Sequence, residues 1–243
     1  MLKTTCEQCD GLGLVRTAGG SRPCPGCQET ERHRAMISRS RIPAGYLDAR
    51  ISNFKITPTT QPAAMMARRF VHDFVPGVCD PKQPGLMFTG SVGTGKTHLA
   101  VGILRELIET KGIYGRFVDV RQLLDQLRSS YDDDAKESQA QILKPLLTAD
   151  LVVIDELGAA RSSEWVFETI ELLIGGLYNR ATPVIVTTNL ANLGAGQSSS
   201  GNEYTRAMRQ ETLGDRIGAR MFSRLQQMCV SVDMTGPDWR GKR

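Results

Sequence analysis

Hydrophobic positions along the 243-residue chain fall into two forms. The first is the short unbroken run: GLMFTG ending at Gly90, GRFVDV from Gly115, LVVIDELG from Leu151 and PVIVTTNL from Pro183. Runs of this length, bounded by glycine, proline or polar residues, predict strands buried on both faces. The second form is apolar recurrence at three- and four-residue spacing, which predicts amphipathic helices. It covers Ala63–Phe74 and the segments HLAVGILRELIET, RQLLDQLRSSY and ESQAQILKPLLT. It also covers Ser163–Arg180, with apolar residues at 166, 170, 173, 174 and 177. One further helix is expected over LGDRIGARMFSRLQQM, where Leu213, Ile217, Met221, Leu225 and Met228 form a stripe. Strands alternating with helices predict an α/β domain with a parallel sheet.

The remaining stretches carry neither period. Residues 28–60 read as a connector, VPGVCDPKQPG as a loop, and Asp132-Asp133-Asp134 as a solvated turn. LGAGQSSSGNEY is rich in Gly and Ser and is expected to be mobile. These breaks divide the chain into residues 1–40, a linker over 41–62 and a main domain over 63–243.

Composition changes this picture little. The chain has no apolar run long enough to cross a membrane, and MLKTTCEQC lacks the apolar core of a signal peptide, so a cytoplasmic protein is expected. A net charge of +4 is too small to diagnose a nucleic-acid binder. Its distribution is uneven: residues 1–50 hold Lys3 and seven arginines against five acids, densest in RHRAMISRSR. That stretch is expected to be a basic tether.

The first chemical signal follows the first strand. Gly90-Ser91-Val92-Gly93-Thr94-Gly95-Lys96-Thr97-His98 satisfies G-x-x-x-x-G-K-[ST] between a strand and a helix, the setting that this motif requires. Its glycines let backbone N–H groups converge on phosphates, and the helix N-terminus adds a favourable dipole. Lys96 is expected to reach the β- and γ-phosphates, and the Thr97 hydroxyl to ligate Mg²⁺. At the end of LVVI, Asp155 can hold Mg²⁺ and Glu156 can orient and deprotonate an attacking water. Asn189, ending PVIVTT, can hold that water near the γ-phosphate. Arg216, Arg220 and Arg224 stand four apart and share a helix face, from which one can project into a neighbouring subunit's nucleotide.

The second signal is at the front: Cys6-x2-Cys9-x14-Cys24-x2-Cys27. Two Cys-x-x-Cys pairs supply the four soft donors of a tetrahedral zinc site, and the nearby Gly11, Gly13, Pro23, Pro25 and Gly26 suit the tight knuckles. A thioredoxin-like redox pair needs a βαβ setting that is absent here. The unit CEQCDGLG also matches the repeated knuckle of DnaJ-type chaperones, but CPGCQETE breaks that pattern. Cys79 and Cys229 stand alone and are expected to be buried or inert.

With these pieces in order, the chain resembles the DnaC/DnaI family of helicase loaders within the AAA+ ATPases. The residues that carry the resemblance are SRIPAGYLDARISNF, GSVGTGKTHLA, LVVIDELG, VTTNL, and ARMFSRL followed by GPDWR. It implies an AAA+ P-loop fold with a five-stranded parallel sheet between helices, plus a small zinc-binding domain. It implies Lys96 and Thr97 as Walker A residues, Asp155 and Glu156 as Walker B, and Asn189 as sensor 1. Gly90 to His98, Asp155 and Arg240 would bind the nucleotide. The arginine finger falls on Arg224 or, in a shifted register, on Arg220. The family further implies ATP, Mg²⁺ and Zn²⁺ as cofactors and a replicative hexameric helicase of the DnaB type as partner. It implies single-stranded DNA contact, for which this chain offers Arg121 and Arg128, and self-association through the ATP site. The zinc arm would dock the helicase or, alternatively, touch DNA. A sister family, the IstB-type transposition helpers, shares the module and acts on duplex DNA.

Overall fold

The computed structural model describes residues 6–10, 12–17, 20–77, 84–131, 137–197 and 211–240. Cys79, the acidic triplet Asp132–Asp134 and most of the Gly/Ser-rich stretch lie outside the described residues.

The main domain is built on β3 (Gly85–Thr89), β4 (Gly115–Asp119), β5 (Leu151–Asp155), β6 (Val184–Thr187) and β7 (Cys229–Asp233). All pair in parallel, in the order β4-β5-β6-β3-β7. This is the expected five-stranded sheet. Its three inner strands, β3, β5 and β6, are buried along their whole length, which explains their unbroken apolar sequences. The fifth strand, β7, has no such run because it lies at an edge, with Cys229 and Val232 buried and the other three residues exposed.

Period-two alternation sorts the strand residues between two cores. Leu86, Phe88, Leu151, Val153 and Ile185 face one, together with α2 (Gln61–Asp73) and α3 (Lys96–Lys111). Met87, Val152, Ile154, Val184 and Val186 face the other. There they meet α4 (Val120–Ser129), α5 (Gln139–Leu147), α6 (Glu164–Asn179), α7 (Leu213–Ile217) and α8 (Ala219–Met228). Among the described residues, no helix is long and apolar enough to cross a membrane.

The C-terminal helix expected as one piece is two. Gly218 adopts φ 82° and ψ 150°, so the helix stops at Ile217 and restarts at Ala219. The apolar stripe survives the break, with Leu213, Ile217, Met221 and Leu225 all buried. The arginine row does not: Arg216 belongs to α7, while Arg220 and Arg224 belong to α8.

The expected connector is also structured. A hairpin of β1 (Leu14–Thr17) and β2 (Gly20–Pro23) joins the two cysteine pairs, and α1 (Pro25–Arg39) follows with Pro25 in its first turn. Met36 and Ile37 pack against the first core, and Ser40 is fully buried. Phe117 donates its N–H to the Ser40 carbonyl at 2.7 Å, while Arg116 on the same edge strand donates to Arg39. The basic stretch is therefore a helical strut bonded to the free edge of β4, not a loose tether.

Residues 41–62, expected as a linker, bury Ile42, Ala49, Ile51 and Phe54 in the same core as α3. Contact is close: a Cβ on Gly102 of α3 would lie 2.9 Å from the Arg50 carbonyl carbon. The apolar residues here lack a regular period because the chain runs through a single 3-10 turn (Ala44–Tyr46) and irregular backbone. Periodicity alone cannot detect such packing.

Candidate nucleotide site and cysteine centre

The loop between β3 and α3 is shaped by three glycines in the left-handed region, Gly90, Gly93 and Gly95, with φ of 124°, 79° and 95°. Gly95 is the N-cap of α3, so the first free N–H groups of that helix open onto the loop. Thr94 is buried and donates to the Ser91 carbonyl at 3.0 Å, which tightens the turn. Val92 at the tip is half exposed.

Lys96 opens α3 and is buried, with Nζ donating to the carbonyls of Gly90 at 2.8 Å and Ser91 at 2.6 Å. Burial and then the neighbouring Arg240 guanidinium pull its ammonium down to about 8, against partial support from Asp155 and Glu156. A cation held so reluctantly gains from an anionic ligand.

Next along α3, the Thr97 hydroxyl donates to Asp155 Oδ1 at 2.9 Å, and the same oxygen accepts from Thr187 at 2.6 Å. Asp155 ends β5 and is buried, which raises its carboxyl above the usual range even though both threonines support the charged form. A buried carboxylate beside a hydroxyl is a hard oxygen donor set that suits Mg²⁺, and a cation there would offset the cost of burying the charge.

Thr187 has a second bond: its oxygen accepts the Glu156 N–H at 3.0 Å. Glu156 itself sits at φ 56°, an uncommon conformation for a non-glycine residue that costs on the order of 1–3 kcal/mol. The strain turns the chain at the end of the strand, so that Asp155 stays buried while the Glu156 side chain reaches the open cleft. Asn189, exposed just beyond β6, lines that same cleft.

The cleft has a volume of about 630 Å³ and gathers Gly93 to His98, Glu156, Thr187, Asn189 and Arg240. Gly90, Ser91, Val92 and Asp155 do not line it, Asp155 being bonded to the Thr97 hydroxyl instead. His98 is turned towards the packed segment, its Nε2 within 2.9 Å of Asn53 Oδ1 and 3.1 Å of the Arg50 carbonyl. Burial lowers its pKa, which favours a neutral ring.

Neither candidate finger lines the cleft of its own chain. Arg224 of α8 is half buried against α6, with its guanidinium 5.2 Å from the Tyr178 ring centre. Arg220, one turn earlier, is exposed and pairs with Glu171 at 2.7 Å. Arg216 is tied down by the Ala160 carbonyl and by Glu211. Of the candidate DNA contacts, Arg121 donates to the Ala159 carbonyl and Arg128 lies over the Trp165 ring.

In the N-terminal arm, the sulfurs of Cys6, Cys9, Cys24 and Cys27 all lie within 4.8 Å of one another. Cys6 and Cys24 are 3.8 Å apart and Cys9 and Cys27 3.5 Å, and none is in a disulfide. Four thiolates about 2.3 Å from a tetrahedral zinc stand about 3.8 Å apart, so the donor set and spacing fit that ion. The Gly13 N–H donates to Cys9 Sγ at 3.3 Å. Burial opposes ionisation of Cys9, yet that bond and the neighbouring thiols draw it down to about 7, while hydrogen bonding to Cys9 and Cys6 pushes Cys27 up to about 12. Gln8 joins the knuckles, its Oε1 accepting the Gly26 N–H at 3.1 Å. Cys229, alone in β7, is buried, and its thiol is pushed up to about 12.

Residues 69–240 match the family of IstB-like ATP binding proteins. The chain belongs to that family. Its sequence is 26% identical over 210 residues to the replicative helicase loader DnaC of Escherichia coli K12, a match covering 86% of this chain and 76% of that one. A crystal structure of the DnaC helicase loader superposes with a TM-score of 0.63 at 31% identity, covering 79% of this chain and all of that one. The structure of DnaI, at 23% identity, shares the fold, with a TM-score of 0.59 over 82% of this chain and 95% of that one. The module of this IstB-like protein is thus a DnaC-like AAA+ fold, as the motifs implied.

In this IstB-like protein the cleft has residues that motif reading passed over. Gly45, Tyr46, Asn53, Phe54 and Lys55 come from the packed segment, and Trp239 from the C-terminus. Their signal was present in IPAGY, ISNFK and PDWR, stretches that carried the resemblance with chemistry attached only to Arg240.

Proposed function

We infer that the protein is an ATP-switched loader of a replicative hexameric helicase. The observation that carries this reading is the match to the DnaC loader, which spans the whole of that structure. The cleft supports the ATPase part. Lys96 and the N–H groups of the P-loop would hold the phosphates, and Thr97 and Asp155 would hold Mg²⁺, which would supply charge neutralisation at the phosphoryl oxygens. Glu156 accepts a proton from the attacking water, and Asn189 orients that water.

An arginine from a second copy completes the site, because neither Arg224 nor Arg220 lines the cleft of its own chain. Arg220 is the more accessible of the two. The zinc arm, carried on the α1 strut, grips the helicase while single-stranded DNA enters its ring. Hydrolysis then releases the loader. Glu156→Gln is expected to keep ATP binding and lower turnover by about 10²–10⁴-fold; unchanged turnover would remove Glu156 from the role of base.

The loader reading is tested by native mass spectrometry of the protein with the replicative helicase of its own source, with and without ATP. A complex lost on deleting residues 1–40 is expected. The family match to IstB-like proteins favours a second reading, a transposition helper on duplex DNA. Absence of any helicase complex, with preference for duplex over single-stranded DNA, would establish that reading instead.

A further inference from the structure

We propose that Trp239 is the wall on which the base of the bound nucleotide rests, and so the residue by which the cleft tells a nucleotide from a bare polyphosphate. The proposal rests on the nucleotide reading of the cleft. The lining divides by chemistry. At the P-loop and strand ends it offers N–H groups, cations and acids. The packed segment and the C-terminus add an aromatic part, with Tyr46, Phe54 and Trp239 beside Asn53 and Lys55. A triphosphate needs only the first part, and a cleft of about 630 Å³ leaves room for a nucleoside in the second.

Trp239 is held at a fixed distance from the phosphate loop. Its backbone N–H donates to the Gly93 carbonyl at 3.1 Å. The preceding Asp238 sits so close that a Cβ on Gly93 would lie 1.9 Å from its Oδ1, and the Arg240 N–H caps that oxygen at 2.8 Å. Further back, Met234 donates to the Thr89 carbonyl at 2.8 Å, and the Thr59 hydroxyl donates to the Thr235 carbonyl at 2.6 Å. Residues 234–240 therefore form a strap from the edge strand across the P-loop. Lys55 Nζ lies over the Trp239 ring, 5.1 Å from its centre, a favourable cation–π contact on one face. An indole presents a π-face and one N–H donor, with no acceptor and no charge. It has little to offer a phosphate and a large surface to offer a purine, and stacking on an aromatic ring tolerates any base.

The test compares ATP with inorganic tripolyphosphate by calorimetry on the full chain, in wild type, Trp239→Ala and Trp239→Phe. Trp239→Ala is expected to weaken ATP about tenfold and leave tripolyphosphate unchanged, with Trp239→Phe restoring most of the loss. Equal weakening of both ligands would overturn the proposal, because Trp239 would then act only by bracing the P-loop. Unchanged ATP affinity would overturn it as well. Wild type that binds neither ligand would overturn the nucleotide reading itself. A second readout needs no affinity change. The chain has two tryptophans, so in Trp165→Phe all indole emission comes from Trp239. That emission should respond to ATP and not to tripolyphosphate, and an identical response to both would count against base contact.

Discussion

The cysteine arm and the ATP module solve the same problem by different means. In the module, both faces of the sheet are covered and β3, β5 and β6 are buried throughout. In the arm, the only buried side chains among the described residues from 6 to 39 are those of Cys9 and Cys24. Leu12 and Leu14, which a core would have used, are exposed. Among its described residues the arm has no apolar interior, so its order must come from what the four sulfurs can hold. The module has no need of a metal to fold. Between them runs α1, whose outer half belongs to the arm and whose inner end, at Met36, Ile37 and Ser40, belongs to the module.

The sharpest way to break this comparison is to remove the metal. Protein purified without chelator is expected to contain about one zinc per chain. Cys9→Ser, or a strong chelator, is expected to abolish the order of the arm outright, seen as rapid proteolysis around residues 6–30. The unfolding transition of the module should stay where it was. Structural zinc supplies on the order of 10 kcal/mol to a domain of this kind, so the effect on the arm is all or none. A chelated arm that resists protease would show that apolar contacts suffice. A module that melts earlier would show that the strut transmits stability.

The reverse experiment is smaller. Ile51 lies in the segment expected as a linker but is 3% exposed. Truncation in a tight core costs about 2–5 kcal/mol, and at this chain length each kcal/mol moves Tm by about 2–4 °C. Ile51→Ala is therefore expected to lower the melting temperature of the module while leaving zinc content at its wild-type value. A mutant with unchanged Tm would return residues 41–62 to the status of a linker.

Legibility in the sequence followed the same division. The inner strands could be read directly, because burial on both faces demands unbroken apolar runs such as LVVI. The P-loop was legible because its backbone path needs glycine at particular positions. The cysteine arm was legible because two Cys-x-x-Cys pairs gather four soft donors at a spacing that suits a metal. What escaped was packing that follows no period. Ile42, Ala49, Ile51 and Phe54 are spaced irregularly, and β7 shows only two buried residues in five. The break at Gly218 escaped as well, since the apolar stripe continues across it. In the site, the linkage through Thr187 to both Asp155 and the Glu156 N–H depends on which strands are neighbours. The β5–β6 pairing that creates it joins segments some thirty residues apart.

The finest distinction between the two regions concerns protons. In the module, Lys96 is pulled to about 8 by burial and then by Arg240. Its folded value lies below its unfolded one, so between about 8 and the ordinary lysine range the unfolded chain binds the extra proton. Over that window, stability from this group rises with pH, and below it the buried ammonium is a standing cost. Nucleotide binding has the opposite sign. A polyphosphate favours the charged amine, so above about pH 8 binding must take up a proton. Affinity for ATP should then be flat from pH 7 to about 7.5 and fall by up to about tenfold per unit above 8. Calorimetry in buffers of different ionisation enthalpy reads the proton uptake directly. Arg240→Ala removes the neighbouring cation and should move the onset of the fall to higher pH. An onset that stays in place would mean that burial alone sets the Lys96 value, and that the C-terminal strap does not tune the lysine.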